Sequence, residues 1–426
     1  MIRSLFSILL FTQLINSTTL KELIDIGLKN SAILKNSNLQ IELMESKKEE
    51  SRAKKFGEVD LVGGYTHYNL PRTLAPIVPS ALSPKSSIET TQDLFSTGIS
   101  YSVPLFTGGT IKRQVDIDSL TKVALEKKKN LTTREYIYNI SSLYLSGLSL
   151  QDLIESQKEY INTLERLKEV VNFSVESGKK ARIDYIKVDT TLKSAIGKLN
   201  SLKSNLKMIK STLIAITHIE DIAQLEPINV DLTQDIKEPD KSQFDSLDRF
   251  KLQDLEIKKR KKTEDQIRAS LKPQVMLNSY FGYNYDIDDG SINKEQLWQI
   301  GFNLKWDIFD FDRSDFKIQQ AKIAKLQAVI QKEKLSEDFK KLLAKALNKI
   351  ENSLAEYNTN LAQLNLLEET QKIEEARYNA GVATLNDLLL AKAKKQLAEA
   401  KLIESQYKYQ NGLYYLDYLL ERGEIE

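Results

Sequence analysis

The chain has 426 residues, enough for two or three ordinary domains or for one elongated one. Its 61 lysine and arginine residues nearly balance 59 aspartate and glutamate residues, which excludes the basic excess typical of nucleic-acid-binding proteins. The absence of cysteine excludes disulfides and a cysteine-linked lipid anchor. The two histidines, His67 and His218, are far apart, and neither a catalytic set nor a GxxxxGK[ST] motif is present. We therefore expect no metal, no cofactor and no enzymatic activity.

The N-terminus carries the pattern of a secretory signal peptide, which we place at residues 1–17. Arg3 precedes an apolar run over residues 5–15, and the small residues Ser17 and Thr18 follow. A buried N-terminal helix is the alternative interpretation. No later run of about 18 apolar residues exists, so we expect any membrane insertion to use strands.

A helix, two strands and a long helix pair are predicted for the first half of the chain. Apolar spacing indicates a helix over residues 19–56 and a strand over 58–70, before a loop that holds four of the eight prolines. The second strand, residues 95–105, alternates apolar residues with small or polar ones. Residues 111–177 lack proline and show the three–four apolar spacing of a long coiled-coil helix.

The same order recurs 203 residues later. At this offset the sequence pairs four landmarks, namely Gly98 with Gly301, Phe106 with Phe309, Gly178 with Gly381 and Asp184 with Asp387. The second copy contains a helix over residues 242–271 and strands over 274–285 and 298–308. We therefore predict two structural repeats, 18–217 and 243–421, with a linker or small side element over 218–242 and a short tail over 422–426.

Each long helix is predicted to fold back as a hairpin. Gly178 and Gly381 interrupt the two apolar seams, at positions where a helix end needs a left-handed residue. Asp184 and Asp387 follow near the start of the next helix, where the helix dipole favours an anion. The return helices then cover 184–217 and 386–420. When these helices are considered alone, an ordinary long coiled coil is the better interpretation.

The four strands fit a membrane barrel better than a soluble sandwich. Their length matches the roughly 9–11 residues of a tilted membrane strand, and one face is apolar while the other is polar. Three aromatic residues on the apolar face are candidates for the membrane interfaces: Tyr101, Trp298 and Trp306. The two tryptophans are eight residues apart, which is roughly 26 Å along a strand.

Four strands are too few to close a barrel in lipid. An open edge leaves backbone groups unpaired, at several kcal/mol each, so other copies of the chain must complete the sheet. Two copies give eight strands and three give twelve, and geometry allows either number.

The order of signal, helix, two strands and long helix pair, present twice, resembles the TolC-like outer membrane efflux protein family, the outer membrane factors. The resemblance covers nearly the whole chain after the signal. It rests on the strand–helix junctions VPLFTGGT and WDIFDFDR, on the helix tips GKKARID and GVATLND, and on the aromatic second strands.

The resemblance implies a mainly α fold with a small β part. Three chains with four transmembrane strands each would form a twelve-stranded barrel in the outer membrane of a Gram-negative bacterium. Their long antiparallel coiled-coil hairpins would form an α-helical tunnel through the periplasm. A periplasmic adaptor protein and an inner-membrane pump or ABC transporter are the implied partners of this homotrimer, besides outer membrane lipid.

The resemblance also assigns roles to residues near the helix tips. Seven tip residues would contact the adaptor: Gly178, Lys179, Lys180, Gly381, Val382, Ala383 and Thr384. Tyr378 matches a family tyrosine that holds the tunnel closed by bonding to the first-repeat aspartate, here Asp184. Asp387 matches an aspartate that rings the periplasmic entrance. A helix cap is the alternative role for Asp387.

Two departures from the family pattern concern the entrance. Ala383 stands where the family's closing network uses an arginine, and Leu390 replaces a second acidic ring. Arg182 is a candidate replacement for the arginine. We therefore expect a weaker closing network, or one built from other contacts.

The function predicted from the sequence is a passive outer membrane duct for efflux or type I secretion. A periplasmic or surface coiled-coil scaffold without a pore is the main alternative. A trimeric adhesin is a second alternative, although no exposed passenger domain is visible in the sequence outside the hairpin loops.

Overall fold

The structure is a computed structural model that describes residues 17–79, 88–230, 232, 241–288 and 291–423. The predicted signal, apart from Ser17, lies outside the described residues, as do residues 80–87 of the proline-rich loop, most of 231–240 in the linker and residues 424–426 of the tail. The chain forms two compact units. The helical unit contains Met1–Ser37, Lys128–Asp248 and Leu335–Glu426, and the sheet unit contains Asn38–Lys127 and Arg249–Lys334.

The elements follow one another in an order that occurs twice. The first half contains β1 (Ser17–Thr18), α1 (Leu20–Asn30), α2 (Ala32–Ala53), β2 (Glu58–Thr73), β3 (Thr90–Phe106), α3 (Thr110–Glu176) and α4 (Arg182–Thr217). The second half contains β4 (Gln224–Leu225), α5 (Asp248–Ser270), β5 (Gln274–Asp288), β6 (Ser291–Lys305), α6 (Arg313–Asn379) and α7 (Leu385–Leu419). Both α3 and α6 are 67 residues long, and they begin 203 residues apart.

The single helix predicted over residues 19–56 is in fact two helices, α1 and α2, so the prediction of one continuous helix was wrong. Thr19 caps α1, because its hydroxyl oxygen accepts a hydrogen bond from the Glu22 amide at 3.1 Å. The chain then breaks at Ser31, whose hydroxyl oxygen accepts the Leu34 amide of α2 at 3.4 Å. A serine that satisfies a free amide in this way favours a helix start over a helix interior. The helix predicted over 242–271 is likewise shorter, since a 3₁₀ turn, Lys241–Ser246, precedes α5.

The core of the helical unit lies where α1, α3, α4 and α7 meet. It includes the fully buried Leu23, Ile140 and Tyr144. The hydroxyl of Tyr144 donates to the Glu226 carbonyl oxygen at 2.6 Å, which satisfies its polar end inside the core. The predicted polar linker contributes to this core through Ile222 and Leu225, and its strand β4 pairs in parallel with β1.

The sheet unit is built around a four-stranded antiparallel sheet in the order β2–β3–β5–β6. The strands are 15 to 17 residues long, longer than predicted, because cross-strand pairing continues through segments that look like loops in the sequence. Pro71 lies in β2, an edge strand, where the pairing with β3 is irregular between His67 and Arg72. The segment between the predicted strands 274–285 and 298–308 is mostly strand, since β5 reaches Asp288 and β6 begins at Ser291.

The two faces of the sheet differ sharply in polarity. One cross-strand row joins Leu61, Ile99, Phe281 and Trp298, whose side chains are 83%, 52%, 49% and 70% exposed. The adjacent row on the opposite face joins Asp60, Ser100, Tyr280 and Gln299. Within the described residues, β2 and β6 each pair along one side only, so their outer edges are available to further strands.

No helix in the described ranges combines the length and the apolar character needed to cross a membrane.

Candidate functional site at the helix tips

The two helix tips of the helical unit share one turn geometry. Gly178 and Gly381 have φ angles of +73° and +76°, the left-handed conformation predicted for these positions. In the first turn the Lys179 amide donates to the Ser174 carbonyl oxygen at 2.8 Å, and in the second the Val382 amide donates to the Arg377 carbonyl oxygen at 2.9 Å. These bonds close the last turns of α3 and α6 and direct the chain into α4 and α7.

The starts of the return helices differ. Thr384 and Asp387 form a capping box at the start of α7: the Asp387 amide donates to the Thr384 hydroxyl oxygen at 3.3 Å, and the Thr384 amide donates to Asp387 Oδ2 at 2.9 Å. The Thr384 hydroxyl also donates to Oδ2 at 2.7 Å. These hydrogen bonds, above all the one from the hydroxyl, lower the pKa of Asp387. Asp184 lies in the first turn of α4, where Ala181 provides no side-chain cap.

Tyr378 joins the two hairpins through an apolar cluster. Its ring packs with Val171 of α3, Val188 of α4 and Leu388 of α7, and only 7% of the residue is exposed. The hydroxyl oxygen is buried and makes no hydrogen bond in this structure. The bond to Asp184 that the family resemblance implies is therefore not formed here. The ring is held by packing in the cluster, and its buried hydroxyl is not aimed at a polar partner.

A lysine contacts the face of the same ring. The ammonium nitrogen of Lys180 lies 3.6 Å from the centre of the Tyr378 ring, within the distance of a cation–π interaction. Lys180 comes from the first tip and Tyr378 from the last turn of α6, so this contact ties the two hairpins together. Of the other tip residues, Ala383 packs against the cluster, while Lys179 and Val382 are exposed.

Two further ion pairs near the tips were not found from the sequence. Lys392 of α7 is 3% exposed and its ammonium lies 3.1 Å from Glu375 of α6. Lys168 of α3 and Asp189 of α4 are 2.7 Å apart, and this pairing lowers the pKa of Asp189 and raises that of Lys168. A lysine at an apolar position of a coiled-coil helix can be recognised in the sequence as a candidate for a buried ion pair. Its partner on another helix can be identified only from the fold.

Two of the three predicted interface aromatics lie where helices meet the sheet. The Tyr101 hydroxyl donates to the Phe56 carbonyl oxygen at 2.9 Å, and the Trp306 indole nitrogen donates to the Leu271 carbonyl oxygen at 3.2 Å. Phe56 and Leu271 directly precede the turns into β2 and β5. Trp306 was predicted to lie within the strand over residues 298–308, but β6 ends at Lys305, so Trp306 lies just beyond the strand. Trp298 belongs to the exposed apolar row described above.

The sequence profile of the family described as outer membrane efflux protein matches residues 23–217 and 250–420, which is most of the chain. This chain belongs to the outer membrane efflux protein family. Members of this family are ducts of the outer membrane and not enzymes, so the predicted class of function and the predicted localisation are confirmed.

Solved outer membrane channels share the fold. CusC, described as forming a transmembrane channel, superposes with a TM-score of 0.81 at 17% identity, covering 95% of this chain and 92% of CusC. The outer membrane protein VceC of Vibrio cholerae gives 0.74 at 16% identity, with 95% and 96% coverage. The CmeC outer membrane channel of Campylobacter jejuni gives 0.74 at 16% identity, with 94% and 85% coverage. No curated protein matches the chain by sequence.

Proposed function

We propose that three copies of this chain form a passive export duct that crosses the outer membrane and continues into the periplasm. The observation that carries the proposal is the four-stranded sheet, which has one exposed apolar face and two unpaired edges within the described residues. In lipid an unpaired edge costs several kcal/mol per backbone group, so the edges must be closed. Joining β6 of one copy to β2 of the next would close the sheet and keep all strands antiparallel.

The helical unit would then supply the periplasmic tunnel. We propose that the tips around Gly178 and Gly381 dock on a periplasmic adaptor, which connects the duct to an inner-membrane pump, proton-driven or ATP-driven. The energy for transport has to come from this pump, because the chain lacks a phosphate-binding GxxxxGK[ST] motif. Three Asp387 carboxylates around a narrow entrance would attract cations, since like charges in a constriction focus the electric field.

The number of copies can be counted by cross-linking, because the natural chain contains no cysteine. Asp60 of β2 and Asn303 of β6 are exposed edge-strand residues. With Asp60→Cys and Asn303→Cys in one chain, a flexible thiol cross-linker applied to intact outer membranes should give products of two and three chain masses. Each single variant, which lacks one half of every pair, should give none of the three-chain product.

The same experiment can contradict the proposal in two ways. A product series that ends at two chains would indicate eight strands and two copies. Absence of any cross-linked product, together with recovery of the protein as a water-soluble single chain, would instead support a coiled-coil scaffold without a pore.

A further inference from the structure

A groove in the sheet unit combines basic and apolar side chains. It has a volume of about 430 Å³ and lies between the end of α2, the end of β3 and the start of α3. Its apolar part includes Leu105, Phe106 and Val115, and its basic part includes Lys55 and Lys112. Leu105 and Phe106 are 53% and 49% exposed.

The groove continues the apolar face of the sheet. Leu105 follows Tyr101 and Val103 on the side of β3 that carries Ile99 and its exposed apolar row. The Tyr101 hydroxyl binds the Phe56 carbonyl oxygen on this same side, so the segment with Lys55 and Phe56 overhangs the end of the apolar face. Any molecule in the groove would therefore contact both the apolar face of the sheet and the basic residues at its end.

The charge of the groove favours an anion. In the described part of the chain, neither Lys55 nor Lys112 has a carboxylate within salt-bridge distance, and the Lys55 ammonium lies 4.7 Å from the ring centre of the exposed Phe56. Arg52 and Asp116 also line the groove, but they are paired with Glu49 and Lys262, at 2.8 Å in both cases. Two unpaired cations therefore face the groove, with no unpaired carboxylate to balance them.

We propose that this groove holds an anionic phospholipid of the periplasm-facing leaflet. The inference rests on the proposed membrane insertion of the sheet. Lys55 and Lys112 would bind the phosphate, and Leu105, Phe106 and Val115 would contact the upper part of the acyl chains. A lipid bound there would fix the depth of the sheet in the membrane, because basic residues bind lipid headgroups and apolar residues contact the acyl chains at a membrane interface.

The test compares lipid retention by the purified oligomer in mass spectrometry under native conditions. The protein is reconstituted in vesicles of phosphatidylcholine with phosphatidylglycerol and then extracted in detergent. A double variant, Lys55→Gln with Lys112→Gln, should retain about tenfold less phosphatidylglycerol than the natural chain, since each lysine near a lipid surface contributes a severalfold effect. The matched control, Lys47→Gln with Lys258→Gln, removes two exposed lysines outside the groove and should retain the natural amount.

Several results would overturn the inference. Equal retention by the two double variants would show that the groove lysines do not select the lipid. Release of the lipid by millimolar inorganic phosphate would indicate a site for free anions. Loss of the oligomer in the groove variant alone would assign the groove to a contact between copies. If the natural chain itself fails to enter vesicles, both this inference and the proposed duct fail, whereas insertion without lipid preference overturns this inference only.

Discussion

The ammonium nitrogen of Lys180 lies 3.6 Å from the centre of the Tyr378 ring, while the buried Tyr378 hydroxyl makes no hydrogen bond. The two helix hairpins are therefore held at their tips by packing and by a cation over a ring. We propose this contact as the one that closes the entrance of the duct, since Ala383 stands where the family resemblance implies an arginine.

Separate substitutions of Lys180 and Tyr378 should distinguish the contribution of the cation from that of the Tyr378 hydroxyl to closure of the entrance. Tyr378→Phe removes only an unpaired buried hydroxyl, so we expect unchanged or slightly higher stability and an unchanged basal conductance. Lys180→Gln removes the cation, worth about 0.5–1 kcal/mol at a partly exposed site, and should raise the basal conductance. Lys179→Gln, at the exposed neighbouring position, is the control. If Tyr378→Phe raised the conductance as much as Lys180→Gln does, a hydrogen bond from Tyr378 would be the closing contact instead.

The capping box at α7 allows the charge of Asp387 to be tested apart from its structural role. Thr384→Ala removes the cap but keeps the carboxylate, so we expect a loss of about 1 kcal/mol in stability and an unchanged cation preference. Asp387→Asn removes the charge and retains an oxygen that can accept the Thr384 amide, so cation preference in bilayer recordings should fall. Equal cation preference in the natural chain and in Asp387→Asn would leave the cap as the only role of this residue.

Because the pKa of Asp387 is lowered in the folded chain, the stability that this residue contributes should depend on pH in a defined direction. A carboxyl group whose pKa is lower in the folded state than in the unfolded state stabilises the fold at pH values above the unfolded pKa. That stabilisation is lost as the pH falls through the folded pKa. The stability advantage of the natural chain over Asp387→Asn, measured by thermal unfolding, should therefore be present at neutral pH and vanish in strong acid. An advantage that grew on acidification would contradict this assignment.

Two adjacent residues of β3 test which face of the sheet meets lipid. Ile99 belongs to the exposed apolar row and Ser100 to the row on the opposite face. Arginine on the lipid face near the middle of a membrane costs about 2–4 kcal/mol, so Ile99→Arg should greatly reduce the amount of protein in outer membrane fractions. Ser100→Arg should insert normally and alter conductance. The reverse pattern would place the lumen on the apolar side.

Two glycines with similar φ angles should differ in how they tolerate alanine. At Gly178 nothing lies within 4 Å of an added Cβ, so Gly178→Ala should cost only the left-handed backbone strain, about 1–2 kcal/mol. At Gly57, where φ is +74° and ψ is −163°, the Cβ would lie 2.0 Å from the Ser102 carbonyl oxygen. We expect Gly57→Ala to lower the unfolding temperature more than Gly178→Ala. Equal shifts would show that the junction before β2 can relax.

The order of helices and strands could be predicted from the sequence because the residues that start and end each element are local signals. Glycines at the two tips, the proline-free long helices and the alternation along β3 and β6 each carry their own signal within a few residues. The break at Ser31 was missed because one serine in a helical pattern does not show whether its hydroxyl caps a new helix. The full length of β2 and β5 was missed because it depends on cross-strand pairing with β3 and β6.

The two turns between the long helices lie where the sequence predicted them, whereas the roles of the tip residues stay predictions and their contacts could not be predicted. A capping role for Asp387 was predicted as the alternative because this residue lies near the start of a helix, but its partner Thr384 was not identified. The contact between Lys180 and Tyr378 joins residues almost 200 positions apart, and no periodic pattern specifies which residue covers the ring. The pairing of the buried Lys392 with the exposed Glu375 likewise appears only once α6 and α7 are packed together.

Ionic conductance of the purified protein in a planar lipid bilayer tests the central claim most directly. If copies of the chain close their sheets into a lumen, addition of the detergent-solubilised oligomer should produce stepwise conductance increases of uniform size. The Ile99→Arg variant, prepared in the same way, should produce none. Absence of conductance steps from a folded, membrane-extracted oligomer of the natural chain would contradict the duct.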